Sequence, residues 1–150
     1  MDTIEDFEDF LFLLNKFKVR YLIIGGLAFI FHAKPRYTKD MDVWIDPEIG
    51  NIKNINRALA EFGSPYFISL PMQKDEILRL GVAPDRIDIF LRLSGVEFAN
   101  AWDNKIESAY GSVDTYWIDI DNLIKTKKGI NSPRHQDDVQ VLLKVKDRKA

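Results

Sequence analysis

The segment that decides the fold is VRYLIIGGLAFIFHAKPRYTKDMDVWID, residues 19–46. Its first six residues form a short, branched, apolar run that stops at Gly25-Gly26, and good helix formers follow from Leu27 to His32. This order predicts a strand, a glycine turn and a helix. Residues 41–46 then alternate in polarity, which predicts a second strand.

Two aspartates stand at the start of this second predicted strand. Asp40 and Asp42 are two residues apart, so their side chains leave the same face of the strand. Carboxylates about 6.6–6.8 Å apart along a strand can both reach one hard cation or share a pair of ions. Asp88 lies between two isoleucines of a later predicted strand, where a carboxylate needs a partner such as Mg²⁺. An Asp-x-Asp pair alone is also common on solvated strands and loops.

The rest of the chain alternates helical and strand patterns. Apolar residues three and four apart predict helices, and short apolar runs around turn residues predict two hairpins. The predicted helices are 3–17, one that follows Pro47 and ends at Gly63, 98–102, 121–129 and 134–146; the predicted hairpins pair 76–80 with 86–91 and 105–110 with 113–118. We therefore expect an α/β or α+β fold, a small mixed sheet flanked by helices. It forms one domain, 1–150, with a C-terminal helical extension at about 120–147.

Composition excludes several classes of protein. With 150 residues, 46% apolar and 29% charged, the chain is typical of a globular domain and not of a disordered one. The absence of cysteine excludes a disulfide scaffold, a thiolate zinc site and a cysteine nucleophile. The longest uncharged apolar stretch, Tyr21 to Phe31, has 11 residues, against the ~18 of a membrane-spanning helix. Because the first ten residues carry five acids and no base, unlike a signal peptide, we expect a soluble cytoplasmic protein that binds no membrane.

Charge is unevenly distributed along the chain. The net charge is −2, but residues 125–150 contain eight Lys or Arg against three Asp, so this tail carries +5 and the remainder −7. A lysine-rich C-terminal helix often serves solubility only. The alternative is a nucleic-acid-binding module, whose binding would depend steeply on salt without requiring a metal. Trp44 or Trp117 could then stack on RNA bases.

The glycine turn, the Asp-x-Asp pair and the later Asp88 together resemble a known signature. In the DNA polymerase β type nucleotidyltransferase superfamily, a Gly-Gly or Gly-Ser turn precedes Asp-x-Asp or Asp-x-Glu and a third acidic residue. The chain is also similar, over about residues 8–143, to small bacterial nucleotidyltransferase-like proteins related to toxins of type IV toxin–antitoxin systems. Further segments that carry this resemblance, in order, are RYTKDMD (36–42), PDRID (84–88), SGVEF (94–98) and LIKTK (123–127).

The resemblance implies a nucleotidyltransferase fold and a set of site residues. It implies that Asp40, Asp42 and Asp88 are catalytic and hold Mg²⁺ or Mn²⁺. It also implies that nucleoside triphosphate is the substrate and that Lys127, which is in register with a family lysine, contacts the triphosphate. Without the resemblance, Lys127 would be taken for a solvated surface lysine. The full expected nucleotide-binding set is Gly25, Gly26, Arg36, Thr38, Lys39, Lys127 and Asp138.

The resulting functional hypothesis is transfer of a nucleoside monophosphate from NTP to an acceptor hydroxyl. The acceptor is an RNA end such as that of tRNA, a protein or a small molecule, and the resemblance adds a toxin–antitoxin or defence role with a cognate antitoxin as partner. The alternative is a catalytically silent nucleotidyltransferase-like binding module in a two-gene pair. The presence of all three acids argues against that alternative, whereas the small size of the chain argues for it.

Overall fold

The computed structural model describes residues 3–69, 77–82 and 85–149. Its helices and strands follow the predicted order, and the mixed α/β class is confirmed. The helices are α1 (Thr3–Lys16), α2 (Gly25–His32), α3 (Ile49–Phe62), α4 (Phe98–Asp103), α5 (Ile120–Lys128) and α6 (Pro133–Lys149). The strands are β1 (Tyr21–Ile24), β2 (Asp40–Ile45), β3 (Ile77–Leu80), β4 (Arg86–Phe90), β5 (Ile106–Tyr110) and β6 (Val113–Trp117). Glu76, predicted to begin a strand, and Ala83-Pro84, predicted to form a turn, lie outside the described residues.

The strands of the described residues form one six-stranded mixed sheet in the order β3-β4-β2-β1-β6-β5. Both predicted hairpins are confirmed, since β3 pairs with β4 and β5 with β6 in antiparallel fashion. The first strand pairs antiparallel to β2 and parallel to β6, while β2 runs parallel to β4. The two strands that carry the predicted acids are therefore neighbours in the sheet.

The first strand begins two residues later than predicted. The amide of Val19 donates to Leu14 O and so closes the end of α1. The amide of Arg20 donates to the side chain of Asn51. Because both amides are already used, sheet pairing starts at Tyr21.

The buried apolar residues form one cluster that spans the sheet and its helices. Met41 and Val43 are fully buried, so the side chains between and after the two aspartates point into the core. The C-terminal helices contribute Leu123, Ile124, Val139 and Leu142 to the same cluster. Trp44 and Trp117 are only 1% and 4% exposed, so the idea that either stacks on RNA bases is wrong.

Helix ends follow the expected chemistry at α3 and α5. Gly63 ends α3 in the left-handed conformation with φ +89°, as predicted. Asp119 accepts from the amide of Asn122 and so caps α5. Among the helices of the described ranges, none combines the length and the apolar composition needed to cross a bilayer.

Candidate metal and nucleotide site

The three aspartates predicted from the sequence lie together. Strand register places Asp42 opposite Asp88 on β4, and one carboxylate oxygen from each of Asp40, Asp42 and Asp88 lies within 4.8 Å of the others. Opposite ligands of an octahedral Mg²⁺ are about 4.1 Å apart, because each bond is ~2.0–2.1 Å long. The carboxylates therefore have the spacing that one hard cation requires, with small adjustments of their side chains.

Two oxygens of this cluster have the surroundings of a cation ligand. Asp42 Oδ1 and Asp88 Oδ1 are buried and accept no hydrogen bond within the described part of the chain. Burial, followed by the charges of Asp40 and Asp88, raises the pKa of Asp42 to about 7. A divalent cation would supply the missing charge and would keep Asp42 ionised at neutral pH. The donor set thus fits Mg²⁺ or Mn²⁺, which both favour carboxylate oxygens.

Arginines accompany two of the three carboxylates. Arg86 Nη2 donates to Asp40 Oδ2 at 2.6 Å, and Arg86 Nε lies 3.1 Å from Asp88 Oδ1 in an ion pair without hydrogen-bond geometry. Arg79 Nε lies 3.7 Å from the same oxygen of Asp88. Burial raises the pKa of Asp88, and the charge of Arg86 opposes this rise. Part of the positive charge that the buried Asp88 carboxylate needs is therefore supplied by Arg86 and Arg79.

Arg86 was not among the predicted site residues, although its position in the sequence carries a signal. Arg86 precedes Asp88 by two residues on one strand, the spacing that puts side chains on the same face. The same-face spacing that groups Asp40 with Asp42 therefore also predicts that Arg86 lies beside the acids.

The glycine pair adjoins the acidic cluster directly. Ile24 is paired with Asp42, so the chain turns into α2 beside that carboxylate. Gly25 has φ +67°, and a Cβ on it would lie 2.3 Å from Asp42 Oδ2; a Cβ on Gly26 would lie 2.8 Å from Thr38 Oγ1. The glycines thus make room for side chains of the site itself, and α2 begins at Gly25 rather than after the pair as predicted.

The N-terminus of α2 has no side-chain cap. Its N-cap residue, Ile24, provides no capping hydrogen bond. The first amides of a helix have no partner within that helix, and together with the helix dipole they favour an anion. Phosphate binding at Gly25-Gly26 stays a prediction, and this open helix end is compatible with it.

A second cluster of charges lies between α2, α5 and α6. Lys127 is 2% exposed, and its Nζ donates to Asp138 Oδ2 at 2.8 Å. Arg36 Nη1 donates to the other oxygen of Asp138 at 2.7 Å. Both cations lie over the ring of Phe29, with Arg36 Cζ 4.1 Å and Lys127 Nζ 5.7 Å from its centroid. Lys127 is therefore a buried, paired lysine and not a solvated one.

The electrostatics of this cluster follow from its burial. Burial lowers the pKa of Lys127 although Asp138 opposes the shift. For Asp138, burial alone would raise the pKa, but hydrogen bonds from Arg36 and Lys127 outweigh it and lower the pKa. The charge of Lys127 also lowers the pKa of Asp42, so the buried ammonium acts on the acidic cluster.

The two remaining predicted residues are placed differently. Thr38 is half-buried, and its hydroxyl donates to the carbonyl of Asp40 at 3.3 Å. Lys39 is exposed and forms no ion pair with any of the described residues. The structure therefore places Thr38 with the site and leaves Lys39 on the surface beside it.

The chain matches no protein-family model, and no curated protein matches it either. The functional assignment therefore depends on the geometry of the site.

Proposed function

We propose that this protein is a metal-dependent nucleotidyltransferase with the fold of the DNA polymerase β type. The observation that supports this most strongly is the convergence of Asp40, Asp42 and Asp88, with oxygens within 4.8 Å of one another, beside the uncapped N-terminus of α2. Carboxylates for a divalent cation and helix amides for an anion are what transfer from a metal-bound triphosphate requires.

In this proposal, Asp40, Asp42 and Asp88 hold Mg²⁺ or Mn²⁺. The bound metal supplies charge for the phosphates and polarises the acceptor hydroxyl. The amides at Gly25-Gly26 bind the triphosphate, and the buried ammonium of Lys127, which is paired with Asp138, adds positive charge to the same site. The acceptor hydroxyl loses its proton to water as its oxygen bonds to the α-phosphorus of the NTP, the bond from that phosphorus to the bridging oxygen breaks, and pyrophosphate leaves.

The proposed acceptor is defined by its chemical class. It is a hydroxyl of an RNA end such as that of tRNA, of a protein or of a small molecule. A toxin–antitoxin or defence role, with a cognate antitoxin as partner, is part of the same proposal and depends on the sequence resemblance.

The test is transfer of radiolabel from α-labelled NTP to acceptors in a cell lysate containing Mg²⁺. We expect label on an acceptor, no label in EDTA, and a loss of at least about 100-fold in each of Asp40→Asn, Asp42→Asn and Asp88→Asn. The control is Asp114→Asn, because Asp114 is an exposed carboxylate on β6 outside the cluster. Transfer that persists in EDTA, or that is unchanged in the Asp88 variant, would contradict the proposal.

A second candidate function is the catalytically silent binding module. It is favoured by the contacts of Arg86 with Asp40 and Asp88, because they partly neutralise the acids without any metal. A silent module would give no metal-dependent transfer of label from α-labelled NTP to any acceptor, so the transfer assay separates the two candidates.

A further inference from the structure

Arg86 occupies a position that the sheet register fixes. It is paired with Asp40 across β2 and β4, while Asp88 is paired with Asp42 in the next same-face position. Three carboxylates and one guanidinium therefore form a two-by-two array on one face of two parallel strands. Neighbouring strands are only about 4.7–4.9 Å apart, so each side chain of the array is within reach of the others.

The contacts of Arg86 use one edge of its guanidinium for two different carboxylates. Nη2 donates to Asp40 Oδ2 at 2.6 Å, and Nε lies 3.1 Å from Asp88 Oδ1. Nη2 and Nε form the edge that usually binds a single carboxylate in bidentate fashion. Here that edge joins β2 to β4 through Asp40 and Asp88, which are two of the three carboxylates that could hold a metal.

Asp42 is the member of the array without such a partner. It forms no ion pair within the described residues, and its Oδ1 accepts no hydrogen bond. The array thus contains one cation, held by two of its three acids, and one acid that is left uncompensated.

A divalent cation cannot share this position with the guanidinium. Arg86 lies 2.6 Å from one oxygen of Asp40 and 3.1 Å from one oxygen of Asp88, so an ion bound at ~2.0–2.1 Å to both carboxylates would come within a few ångströms of Nη2 and Nε. Two like-charged groups at that separation repel strongly in a partly buried site. We propose that Arg86 is the resident counter-ion of Asp40 and Asp88, and that a divalent cation enters the cluster only by displacing its guanidinium.

This inference rests on the proposed function, since it takes the three aspartates as the metal site, and it adds a residue that sets metal affinity. Arg86 is a positioning residue in this role, because it acts through the carboxylates and not on the substrate. It keeps the acids folded together without metal, at the cost of weakening the binding of free metal.

The experiment is a calorimetric titration of the metal-stripped, full-length protein with Mn²⁺, without nucleotide. We expect Arg86→Gln to bind Mn²⁺ at least about tenfold more tightly than the parent protein, because a unit charge a few ångströms from the ion has been removed. Adding Asp42→Asn to Arg86→Gln should abolish this gain, which would locate the ion in the cluster.

Arg79→Gln is the matched control. Arg79 approaches the same oxygen of Asp88, but only to 3.7 Å, with a side chain that is 62% exposed, and no contact joins it to Asp40 within the described residues. Solvent screens such a charge, so we expect the Mn²⁺ affinity of this variant to stay within about threefold of the parent.

The outcomes separate the inference from the proposed function. If the parent binds Mn²⁺ and folded Arg86→Gln binds it equally or more weakly, the role of Arg86 is overturned while the metal site stands. If neither binds Mn²⁺, both are overturned. Should Arg86→Gln fail to fold, Arg86→Lys replaces it, because one ammonium cannot span both carboxylates. Mn²⁺ binding that is tighter in Arg86→Lys than in the parent supports the inference. Unchanged Mn²⁺ binding overturns it.

Discussion

At the scale of single residues, the three aspartates of the cluster differ in what compensates their charge. Asp40 and Asp88 share Arg86, whereas Asp42 forms no ion pair in the described part of the chain. The Asp42 carboxylate lies against Gly25, in space that only a residue without a Cβ leaves open. Without a metal, Asp42 is therefore the carboxylate whose negative charge is least compensated and most destabilising.

This cost predicts how stability depends on pH in the absence of metal. The pKa of Asp42 is raised to about 7, above its unfolded value of 3.8, so between these pH values the folded protein retains a proton that the unfolded chain has lost. The free energy of unfolding should therefore fall by up to about 4 kcal/mol as pH rises from about 4 to 7, at ~1.4 kcal/mol per pKa unit. Above about pH 7 it should level off. The Asp42→Asn variant should lack this fall and be the more stable protein at pH 8.

The measurement is urea denaturation in EDTA at several pH values for both proteins. Burial lowers the pKa of His135, so this group also contributes to the pH dependence, but it is present in both chains and its contribution cancels in their difference. Millimolar Mg²⁺ should reduce the difference at pH 8, because it stabilises only the protein that binds it. Parallel stability curves for the two proteins would show that Asp42 carries no such cost.

At the scale of elements, the pair Lys127–Asp138 joins α5 to α6. Arg36, in the loop before β2, donates to the same Asp138 carboxylate. The Asp138 carboxylate is 7% exposed and the Lys127 side chain 3%. Breaking a buried pair leaves an uncompensated charge and typically costs about 3–5 kcal/mol. We expect Asp138→Asn to lose this much unfolding free energy. The double variant Asp138→Asn/Lys127→Met should recover more than half of that loss, because it no longer contains the buried ammonium.

The same two helices provide the control for this prediction. Lys146 and Asp121 also pair across α5 and α6, at 2.6 Å, but both side chains are about half exposed. An exposed pair contributes little, so Asp121→Asn should leave the denaturation midpoint nearly unchanged. If Asp138→Asn has an equally small effect, the buried pair does not hold these helices together.

Elements were largely predictable from the sequence because their signals are local. Apolar periodicity predicted the helices, turn residues predicted both hairpins, and Gly63 predicted the end of α3. The start of β1 was not predictable, since it depends on a bond from Arg20 to Asn51, 31 residues away.

The site was only partly predictable for the same reason. Spacing within one strand put Asp40 and Asp42 on one face, but the pairing of β2 with β4, which brings Asp88 opposite Asp42, is a property of the sheet. The burial of Lys127 also depends on how α5 and α6 pack, and the sequence alone favoured a solvated lysine.

At the scale of the whole molecule, the basic C-terminal tail is less available to a partner than its charge suggests. Lys127 is buried on Asp138, and Lys146 is paired with Asp121. The same segment carries Val139 and Leu142, which are 3% and 0% exposed. The tail is therefore part of the folded structure, and its charge of +5 overstates what a nucleic acid would meet.

This integration predicts that α6 is required for folding of the whole chain. Deletion of residues 133–150 would remove Asp138, Val139 and Leu142 and would expose the faces of α2 and α5 against which α6 packs. Each large buried aliphatic side chain that is lost typically costs about 2–5 kcal/mol, and a domain has only ~5–15 kcal/mol in total. We expect the truncated chain to lose its cooperative thermal transition in circular dichroism.

Deletion of residues 144–150 is the matched control for that truncation. In the described part of this segment, Lys144, Lys146, Asp147 and Arg148 are exposed and Val145 is half-buried, so the loss of packing is small. We expect this shorter chain to keep a single transition within a few degrees of the parent midpoint, because a loss of ~1 kcal/mol moves the midpoint by about 2–4 °C at this size. If the longer deletion behaves like the shorter one, α6 is an appendage, and the burial of Lys127 and Asp138 has no part in holding the molecule together.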